Sequence, residues 1–427
     1  MDNYIWRHSF RFGGRDSEAG GFSFFLPISL EFGLSRAGAS VASGLSAVCN
    51  GIMFPLAGWL SDKYGPKWII FSGVMIMSAG LLTMNFVSST WSYYLTWGIL
   101  IGGGHGLGLS VAHDKLLTNW FVKKRGTAFG SRFAIMGVME LVALLFISSF
   151  IAIKGWRMTC LMCAGVIIGI GLLVALRFVK QERPECYGLL PDGAPTETGL
   201  EEDRENLISK GLEYAASFQE TEFTLKEAMR VPAYWILIIS FMIHGMVFNA
   251  FNLHCIPFLT DMGTDSIVAA GMMAMMVFFQ IPSRFLGGII ADRFKKEHLK
   301  FLVALAVLLP AVGITLFLLN QTMTTVYIFL ILFGLGAGAY TPLDLTIKTR
   351  YFGRKASGSI MGTSTLFSVP ASFLSSVYVG WVHDITGSYS TVFTLFAVMA
   401  ALGALMVCMI RVPKQQARTQ AYISDLC

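Results

Sequence analysis

An arginine inside an apolar run is the side chain whose type and position say most about chemistry. Arg284 lies in the stretch Gln280–Lys296, which begins among apolar residues and ends in the charged run 292–296. A guanidinium in lipid is costly, so it normally faces a protein interior or a water-filled cavity. There it can bind a carboxylate through two parallel hydrogen bonds. We therefore predict that Arg284 binds a substrate carboxylate, with Gln280, one helical turn earlier on the same face, as a second donor.

Other polar residues inside apolar segments are further candidates. His105 lies in a glycine-rich run, where the backbone could approach a ligand closely. Asn252 and Tyr340 lie on helical faces that could line a pathway, so we predict that these three residues contact substrate. Glu140 is a candidate for a coupling proton. A structural ion pair between Arg284 and Glu140 or Asp344 is the alternative interpretation, and His105 could equally be a packed histidine.

The charged end of this stretch occurs twice in the chain. Asp62 and Asp292 lie 230 positions apart, in the related runs 58–67 and 288–296. Small residues let membrane helices approach closely, and a carboxylate can face the positive end of another helix. We expect Asp62 to face the helix that begins near 357–358, and Asp292 the helix that begins near 126–127. The set predicted to gate the pathway is Gly58, Asp62, Lys63, Gly65, Gly288, Asp292 and Arg293. Alternatively, these charges only end helices at the membrane interface.

A second pair of motifs shows that the repeat extends beyond one loop. The run 120–126, WFVKKRG, and the run 351–357, YFGRKAS, lie 231 positions apart. Two motifs at nearly the same offset indicate that the chain contains two copies of one structural unit. Repeats of this kind place a binding site at their interface, near the middle of the membrane.

Composition shows what kind of elements must position these residues. The chain has 427 residues, of which 54% are hydrophobic and 14% charged, with a mean hydropathy of +0.62. A soluble domain would carry about 25% charged residues, so we expect an all-α, integral multi-pass membrane protein. Eleven apolar segments are long enough to span a bilayer. They are 38–60, 68–87, 92–117, 127–153, 157–179, 233–259, 266–291, 299–320, 324–347, 358–379 and 391–410.

The first segment of the expected series is incomplete. The run 21–34 is short and interrupted by Pro27 and Glu31, so we expect a short or truncated first helix. The chain then divides into an N-terminal six-helix half (1–179), a linker loop (180–232) and a C-terminal six-helix half with a tail (233–427). We expect the linker to be a flexible tether with one surface helix.

Charge in the loops predicts the orientation. Lysine and arginine concentrate in the loops after even-numbered spans, and cytoplasmic loops are enriched in these residues. Both termini and the linker are therefore expected in the cytoplasm, with the protein in the plasma or inner membrane. The formal net charge of +6 is explained by this topology and does not indicate a nucleic-acid partner. We find no nucleophile–base pair, metal cluster or cofactor motif, so neither an enzyme nor a cofactor is predicted.

The loop motifs resemble those of a known family. The run 58–67, GWLSDKYGPK, resembles the loop signature G-x-L-x-D-[RK]-x-G-[RK]-[RK] of the major facilitator superfamily, except at Pro66. The run 120–130, WFVKKRGTAFG, is similar to a signature of its monocarboxylate transporter and oxalate:formate antiporter branch. In that branch a helix-eight arginine, eight positions before the loop aspartate, binds the substrate carboxylate. Arg284 and Asp292 have this spacing.

The resemblance implies a major facilitator fold of 6+6 helices and a secondary transporter that works as a monomer. The expected substrate is a small carboxylate, carried by proton symport or anion exchange. The oxalate carriers have a further lysine in helix eleven, where this chain has Ser364. A monocarboxylate such as lactate, pyruvate or formate is therefore favoured over oxalate. A carrier for a drug or sugar, and a sensor that transports nothing, are the alternatives.

Overall fold

The computed structural model describes residues 24–187, 189–194, 209–210, 213–214, 217 and 221–414, and within these ranges the chain forms helices and no strands. The predicted substrate, gating and coupling residues all lie inside them. The all-α fold class predicted from the sequence is confirmed.

The N-terminal half begins with a short helix and continues with four long helical stretches. They are α1 (Phe25–Glu31), α2 (Arg36–Tyr64), α3 (Pro66–Thr83), α4 (Thr90–Trp120) and α5 (Arg125–Arg177). Local sequence fixes the helix starts: the Ser35 hydroxyl accepts from the Gly38 N–H at 3.1 Å at the start of α2, and Pro66, whose fixed φ suits a first helical residue, opens α3. The stretch α5 holds spans five and six, because Gly155 breaks the helical backbone with φ 78°.

The C-terminal half follows a four-residue helix in the linker, α6 (Leu225–Ala228). Its six long helices are α7 (Pro232–Asp261), α8 (Ser266–Arg293), α9 (Leu299–Leu319), α10 (Met323–Phe352), α11 (Ser357–Thr386) and α12 (Ser390–Cys408). A dense aromatic core joins them, in which the Phe251 ring lies 4.5 Å from Phe333 and the Phe258 ring 4.9 Å from Phe393.

Ten helices in the described residues are long and apolar enough to cross a membrane. One of them is the 53-residue α5, and the break at Gly155 divides it into two spans. The sequence-based prediction of eleven full spans therefore matches these helices. Their lengths and composition describe an integral multi-pass membrane protein.

The first helix is short, as expected. Within the described residues, α1 has 7 residues, too few to cross a bilayer. In the C-terminal half the first helix, α7, packs along α11. The corresponding face of α5 is exposed, with Ile135 63% and Leu145 67% exposed among the described residues. The short α1 therefore leaves uncovered a helix face that is buried in the other half.

The two halves meet along two pairs of helices, α2 with α11 and α5 with α8. We call the end of the bundle that carries the loops after α2 and α8 the motif end. There, backbone touches backbone, since a Cβ on Gly58 would lie 2.1 Å from the Gly358 carbonyl oxygen. The bundle is therefore closed at the motif end.

The linker is not a free tether in its described parts. Residues 181–187, 189–194 and 221–224 pack on the motif end, where Glu185 is 3% and Phe223 4% exposed. The Phe223 N–H donates to the Phe352 carbonyl oxygen at 2.9 Å. The expectation of a flexible tether is wrong for these residues, because they bury charged and aromatic side chains. The expected surface helix is present as α6.

Candidate functional site

Arg284 lies on α8 and points at α5 of the other half. Its Nη1 donates to the Phe133 carbonyl oxygen at 3.2 Å, and its Nη2 donates to Gln280 Oε1 at 3.3 Å. A Cβ added to Gly137 would lie 2.7 Å from Arg284 Nη1. The absence of a side chain on this residue of α5 therefore makes room for the guanidinium between the halves.

Gln280 is more deeply buried than the arginine. It is 3% exposed, and its backbone packs on α10, where a Cβ on Gly338 would lie 2.5 Å from its carbonyl oxygen. Its amide oxygen accepts from Arg284. Gln280 therefore orients the guanidinium of Arg284 without neutralising its positive charge. The expectation that Gln280 shares a face with Arg284 is confirmed, although here its amide oxygen acts as an acceptor from the arginine.

No carboxylate neutralises Arg284 directly in the described part of the chain, where no Asp or Glu oxygen lies within 4.0 Å of it. Glu140 interacts electrostatically with Arg284 from a longer distance. Asp344 pairs instead with Lys348, one turn along α10, at 2.6 Å. The alternative of a structural ion pair between Arg284 and either acid is therefore wrong for this conformation. A guanidinium with only neutral direct partners is available to an anion.

His105 lies on α4, in the other half, and its side chain is exposed. Its Nδ1 lies 3.2 Å from Asn50 Oδ1 on α2. A Cβ on Gly106 would lie 2.8 Å from the same oxygen, so the glycine-rich run brings α4 close to α2. Among the described residues, His105 and Arg284 share no hydrogen bond or ion pair.

Asn252 and Tyr340 have different surroundings. Asn252 Nδ2 donates to the Phe248 carbonyl oxygen in its own helix at 2.9 Å, and its side chain is half-buried. Tyr340 is 0% exposed, its hydroxyl lies 3.2 Å from that of Ser240, and its ring stacks on His244 at 4.0 Å. In this conformation Tyr340 does not line a pathway, because α7 covers it. The expectation for Tyr340 is corrected accordingly.

The first aspartate of the duplicated motif faces the start of α11. Asp62 Oδ1 accepts from the Gly358 N–H at 3.1 Å and Oδ2 from the Ser359 N–H at 2.6 Å. Lys115 on α4 adds an ion pair, with its Nζ 2.8 Å from Asp62 Oδ1. The contact predicted from the sequence, with the helix beginning near 357–358, is present. A carboxylate there compensates the partial positive charge of the helix N-terminus.

The second aspartate makes the matching contact with α5. Asp292 accepts from the Gly126 N–H at 2.8 Å and from the Thr127 N–H at 2.7 Å. Arg350 on α10 pairs with it, Nη2 to Oδ1, at 3.0 Å. A Cβ on Gly288 would lie 2.1 Å from the Gly126 carbonyl oxygen. Each glycine of the duplicated motif therefore permits the approach that its aspartate stabilises.

The basic residues of the loop motifs do not take part in these contacts. Lys63 and Arg293 are exposed, and Lys63 lies over the Trp59 ring at 5.2 Å. The cations beside the aspartates are Lys115 and Arg350, which the sequence analysis missed. They are not at equivalent positions of the repeat, so a search for duplicated residues could not find them.

Gly65, predicted as part of the gating set, has a conformational role in the turn between α2 and α3. Its φ is 81°, a conformation that side chains rarely adopt, and it separates α2 from α3. It is also covered, because a Cβ there would lie 2.5 Å from Gln181 Cγ. The loop glycine therefore allows a sharp turn beneath the linker.

The chain is similar to known proteins both in sequence and in fold. The chain is 22% identical over 387 residues to "Monocarboxylate transporter 12-B" of Danio rerio, which covers 87% of this chain and 78% of the relative. It is 23% identical to "Monocarboxylate transporter 2" of Homo sapiens, with 81% and 72% covered. Among solved structures it is similar to a proton:xylose symporter, with a TM-score of 0.66, 14% identity and 90% of each chain covered.

The sequence model of the Major Facilitator Superfamily matches residues 17–376. This range includes both loop motifs, Arg284 and nearly all of the helices that carry them. The match covers most of the chain, and the 6+6 helices with two helix pairs between the halves are consistent with it. The chain therefore belongs to the Major Facilitator Superfamily of membrane transporters.

Proposed function

We propose that the protein is a secondary active transporter that moves a small carboxylate anion across the membrane by alternating access. The observation that carries the proposal is the arrangement around Arg284. Its guanidinium lies between the two halves, in a membrane-spanning helix, and its direct partners are a backbone carbonyl and an amide oxygen. An arginine in such a position normally marks a substrate or ion pathway.

The charge balance favours an anion with one carboxylate. A guanidinium keeps several N–H donors and matches a carboxylate in two-point geometry. On α11, Ser364 is 1% exposed and donates its hydroxyl proton to the Ile360 carbonyl oxygen at 2.8 Å. It therefore adds no positive charge to the site. With Arg284 as the main cation, a monocarboxylate is compensated better than a dianion such as oxalate.

The closed motif end supports alternating access. The loops at this end carry most of the lysine and arginine of the interhelical loops, so the positive-inside rule places it in the cytoplasm. In this proposal the structure corresponds to the state that is closed to the cytoplasm. Opening inward requires the Asp62 and Asp292 contacts to break, since each joins one half to the other.

The named relatives support the carboxylate as the substrate class. Both described above are called monocarboxylate transporters, at 22% and 23% identity. Their names alone would leave the substrate of this chain open. They agree, however, with the carboxylate chemistry that Arg284 favours, since its direct partners are neutral oxygens.

Uptake into proteoliposomes tests the proposal. Radiolabelled lactate, pyruvate, formate and oxalate would be supplied to wild type, to Arg284→Gln and to Arg411→Gln. The last variant is a matched control, because Arg411 is exposed and lies outside the site. We expect uptake of a monocarboxylate by wild type and the control, and a loss of about 100-fold in Arg284→Gln, as for a buried charge-assisted pair.

Two results would contradict the proposal. If correctly folded wild type takes up none of the four anions, the chain is not a carrier for small carboxylates. If Arg284→Gln transports as well as the control, the arginine does not bind the substrate. Uptake of a sugar or drug that is insensitive to Arg284→Gln would identify a carrier of another class.

The coupling ion can be found with the same vesicles. Glu140 is exposed on α5 and acts electrostatically on Arg284, which makes it the candidate group for a coupling proton. In a symporter, Glu140→Gln should abolish accumulation driven by an inward proton gradient and leave exchange of labelled for unlabelled anion intact. In an exchanger, uptake should require an internal anion and be the same in wild type and Glu140→Gln.

A further inference from the structure

We propose that the linker residues 181–187 and 189–194 form a strap that holds the motif end closed. The inference rests on the gating part of the proposed function but concerns a segment to which that proposal gives no role. We call residues 181–187 and 189–194 the strap, and residues 221–224, which lead into the C-terminal half, the second arm.

The strap is fixed to the N-terminal half near both of its ends. At its start, Gln181 Nε2 donates to the Tyr64 carbonyl oxygen at the end of α2, at 3.1 Å. Near its other end, the Asp192 carboxylate accepts from the Lys123 N–H at 2.9 Å and the Lys124 N–H at 2.8 Å, just before α5. Because both ends are attached to the same half, the part between them must move with that half.

Between these attachments the strap reaches across to the other half. Glu185 Oε1 pairs with Arg354 Nη1 at 2.8 Å, and the two side chains are 4% and 1% exposed. Arg183 Nη1 pairs with Glu222 Oε1 of the second arm at 3.0 Å. Glu222 in turn accepts from the Lys355 N–H at 2.5 Å. Two ion pairs therefore connect a segment fixed to the N-terminal half with the start of α11.

Arg354 connects the strap directly to the gate. Its Nη1 also donates to the Asn119 carbonyl oxygen of α4 at 3.2 Å. Its own carbonyl oxygen accepts from Lys115 Nζ at 2.5 Å, and Lys115 pairs with Asp62. The Glu185 carboxylate thus stabilises the residue that joins the two halves beside the Asp62 contact.

Two glycines show that both linker segments are seated closely against the motif end. A Cβ on Gly65 would lie 2.7 Å from the Gln181 carbonyl oxygen, and a Cβ on Gly353 would lie 1.5 Å from the Thr221 carbonyl oxygen. The Thr221 hydroxyl also donates to the Tyr351 carbonyl oxygen at 2.8 Å. A loose tether would need no such fit, since its backbone would not approach the helix ends.

The consequence follows from the fixed ends of the strap. If the halves separate at the motif end, Glu185 leaves Arg354 and Arg183 leaves Glu222, or the strap must detach from Tyr64 and Asp192 must leave α5. Separating a buried ion pair is costly, because each charge then needs a new partner or water. The strap therefore favours the closed state, and its release is a requirement for opening.

Hydrogen–deuterium exchange of the full-length protein in nanodiscs, without substrate, tests this inference. The readout is exchange of the gate amides, in peptides that cover 126–127 and 358–359. Glu185→Ala should accelerate this exchange about tenfold. Removing one partner of a buried ion pair is expected to shift the equilibrium between the closed and open states by at least about this factor. The matched control is Glu213→Ala, the same substitution at an exposed linker residue, which should leave these peptides unchanged.

Three outcomes overturn the strap. The first is faster exchange in peptides of 181–194 with unchanged gate amides, since the segment would then detach without effect on the gate. The second is equal exchange in Glu185→Ala and the Glu213→Ala control. If Glu185→Ala fails to fold, Arg183→Gln removes the less buried ion pair, and unchanged gate amides in that variant are the third. Because no substrate is used, the result is independent of whether the protein transports a carboxylate.

Discussion

Asp62 and Asp292, 230 positions apart, make the same contact between the halves in opposite directions. Asp62, in the N-terminal half, accepts from the backbone of 358–359 at 3.1 and 2.6 Å. Asp292, in the C-terminal half, accepts from the backbone of 126–127 at 2.8 and 2.7 Å. Each half therefore supplies one carboxylate and one helix start, and the two contacts join the halves at the motif end.

We expect Asp62→Asn and Asp292→Asn each to favour opening of the motif end. A neutral amide accepts more weakly than a carboxylate from N–H groups at a helix start, and the difference is about 1–2 kcal/mol. Ser357→Cys, at a position 2% exposed, would report opening through its alkylation rate, measured against the same protein without this cysteine. The rate should rise about tenfold in either variant.

The matched control for these variants is Asp384→Asn, because Asp384 is exposed and lies at the other end of α11. It should leave the alkylation rate unchanged. Equal rates in Asp62→Asn, Asp292→Asn and the control would mean that the carboxylates only end their helices. A rise in one variant alone would mean that the two contacts are not equivalent.

The glycines of the duplicated motif should tolerate no side chain in the closed state. A Cβ at Gly58 or Gly288 would lie 2.1 Å from a carbonyl oxygen of the opposite half, so alanine must push the backbones apart. We expect Gly58→Ala and Gly288→Ala to open the motif end, as seen in the Ser357→Cys assay. Gly165→Ala is the control, since a Cβ there meets nothing within 4 Å and alanine favours a helix by about 0.5–1 kcal/mol.

If either glycine variant alkylates at the wild-type rate, then the close approach at that glycine is not required for closure. Loss of folding is a separate outcome, which the elution of the protein as a single species would exclude. The alanine at 165 should leave both folding and the alkylation rate as in wild type. The comparison therefore separates an effect of close packing from an effect of helix propensity.

The repeat made the fold and the main gate contacts predictable. The lengths of the apolar segments predicted the spans, and the repeat that contains Asp62 and Asp292 predicted their six-plus-six arrangement. The same repeat indicated the two helix starts that the carboxylates face. The partners of the aspartates in their own halves were not predictable in this way. Lys115 and Arg350 lie at different positions along the equivalent helices α4 and α10, and a long cationic side chain can reach a carboxylate from several positions on a neighbouring helix.

The site was only partly predictable for a similar reason. The i, i+4 spacing on one helix indicated the pairing of Gln280 with Arg284. Which residues of other helices surround them depends on packing angles that a single sequence does not show. Tyr340 illustrates this, because helical periodicity placed it on a candidate face that α7 covers. The linker was misjudged because its polar composition resembles that of a solvated loop, whereas Glu185 is buried by pairing.

Gln280 offers a test of the charge at the site. In Gln280→Glu, a carboxylate would lie beside the guanidinium, 3.3 Å from Nη2 by the wild-type geometry, and would compete with the substrate. We expect uptake at pH 7.5 to fall by about tenfold or more, and to recover at acidic pH, where the introduced carboxyl group is protonated. Recovery follows because protonation removes the competing charge.

Gln280→Met is the control for this variant, since it keeps the volume and adds no charge. It should weaken uptake by the loss of one hydrogen bond from the charged guanidinium, about 1.5–3 kcal/mol, and by the same factor at every pH. A Gln280→Glu variant whose uptake depends on pH as wild type does would contradict the assignment of Arg284 as the substrate cation. The two variants together separate orientation of the guanidinium from its charge.

The ion pair between Asp344 and Lys348 should contribute little to the free energy of unfolding when both charges are replaced together. Replacing only one of them should destabilise the protein. The pair is 2.6 Å long, with side chains 1% and 2% exposed, and the ammonium lies 4.4 Å from the Phe241 ring centroid. Asp344→Asn or Lys348→Met leaves a buried charge, which costs about 3–5 kcal/mol, whereas replacing both partners by apolar residues is often neutral.

We therefore expect each single variant to lower the Tm clearly and Asp344→Leu/Lys348→Met to recover most of the loss. Thermal unfolding in detergent, followed by tryptophan fluorescence, would measure this. Arg157→Gln is the reference, because it breaks an ion pair with Glu31 whose side chains are 34% and 38% exposed, and such pairs contribute about 0–1 kcal/mol. If Asp344→Asn unfolds at the same temperature as Arg157→Gln, then breaking the buried ion pair destabilises the protein no more than breaking an exposed one, which contradicts the prediction. If the double variant is no more stable than the single ones, the charges themselves are required in the closed bundle.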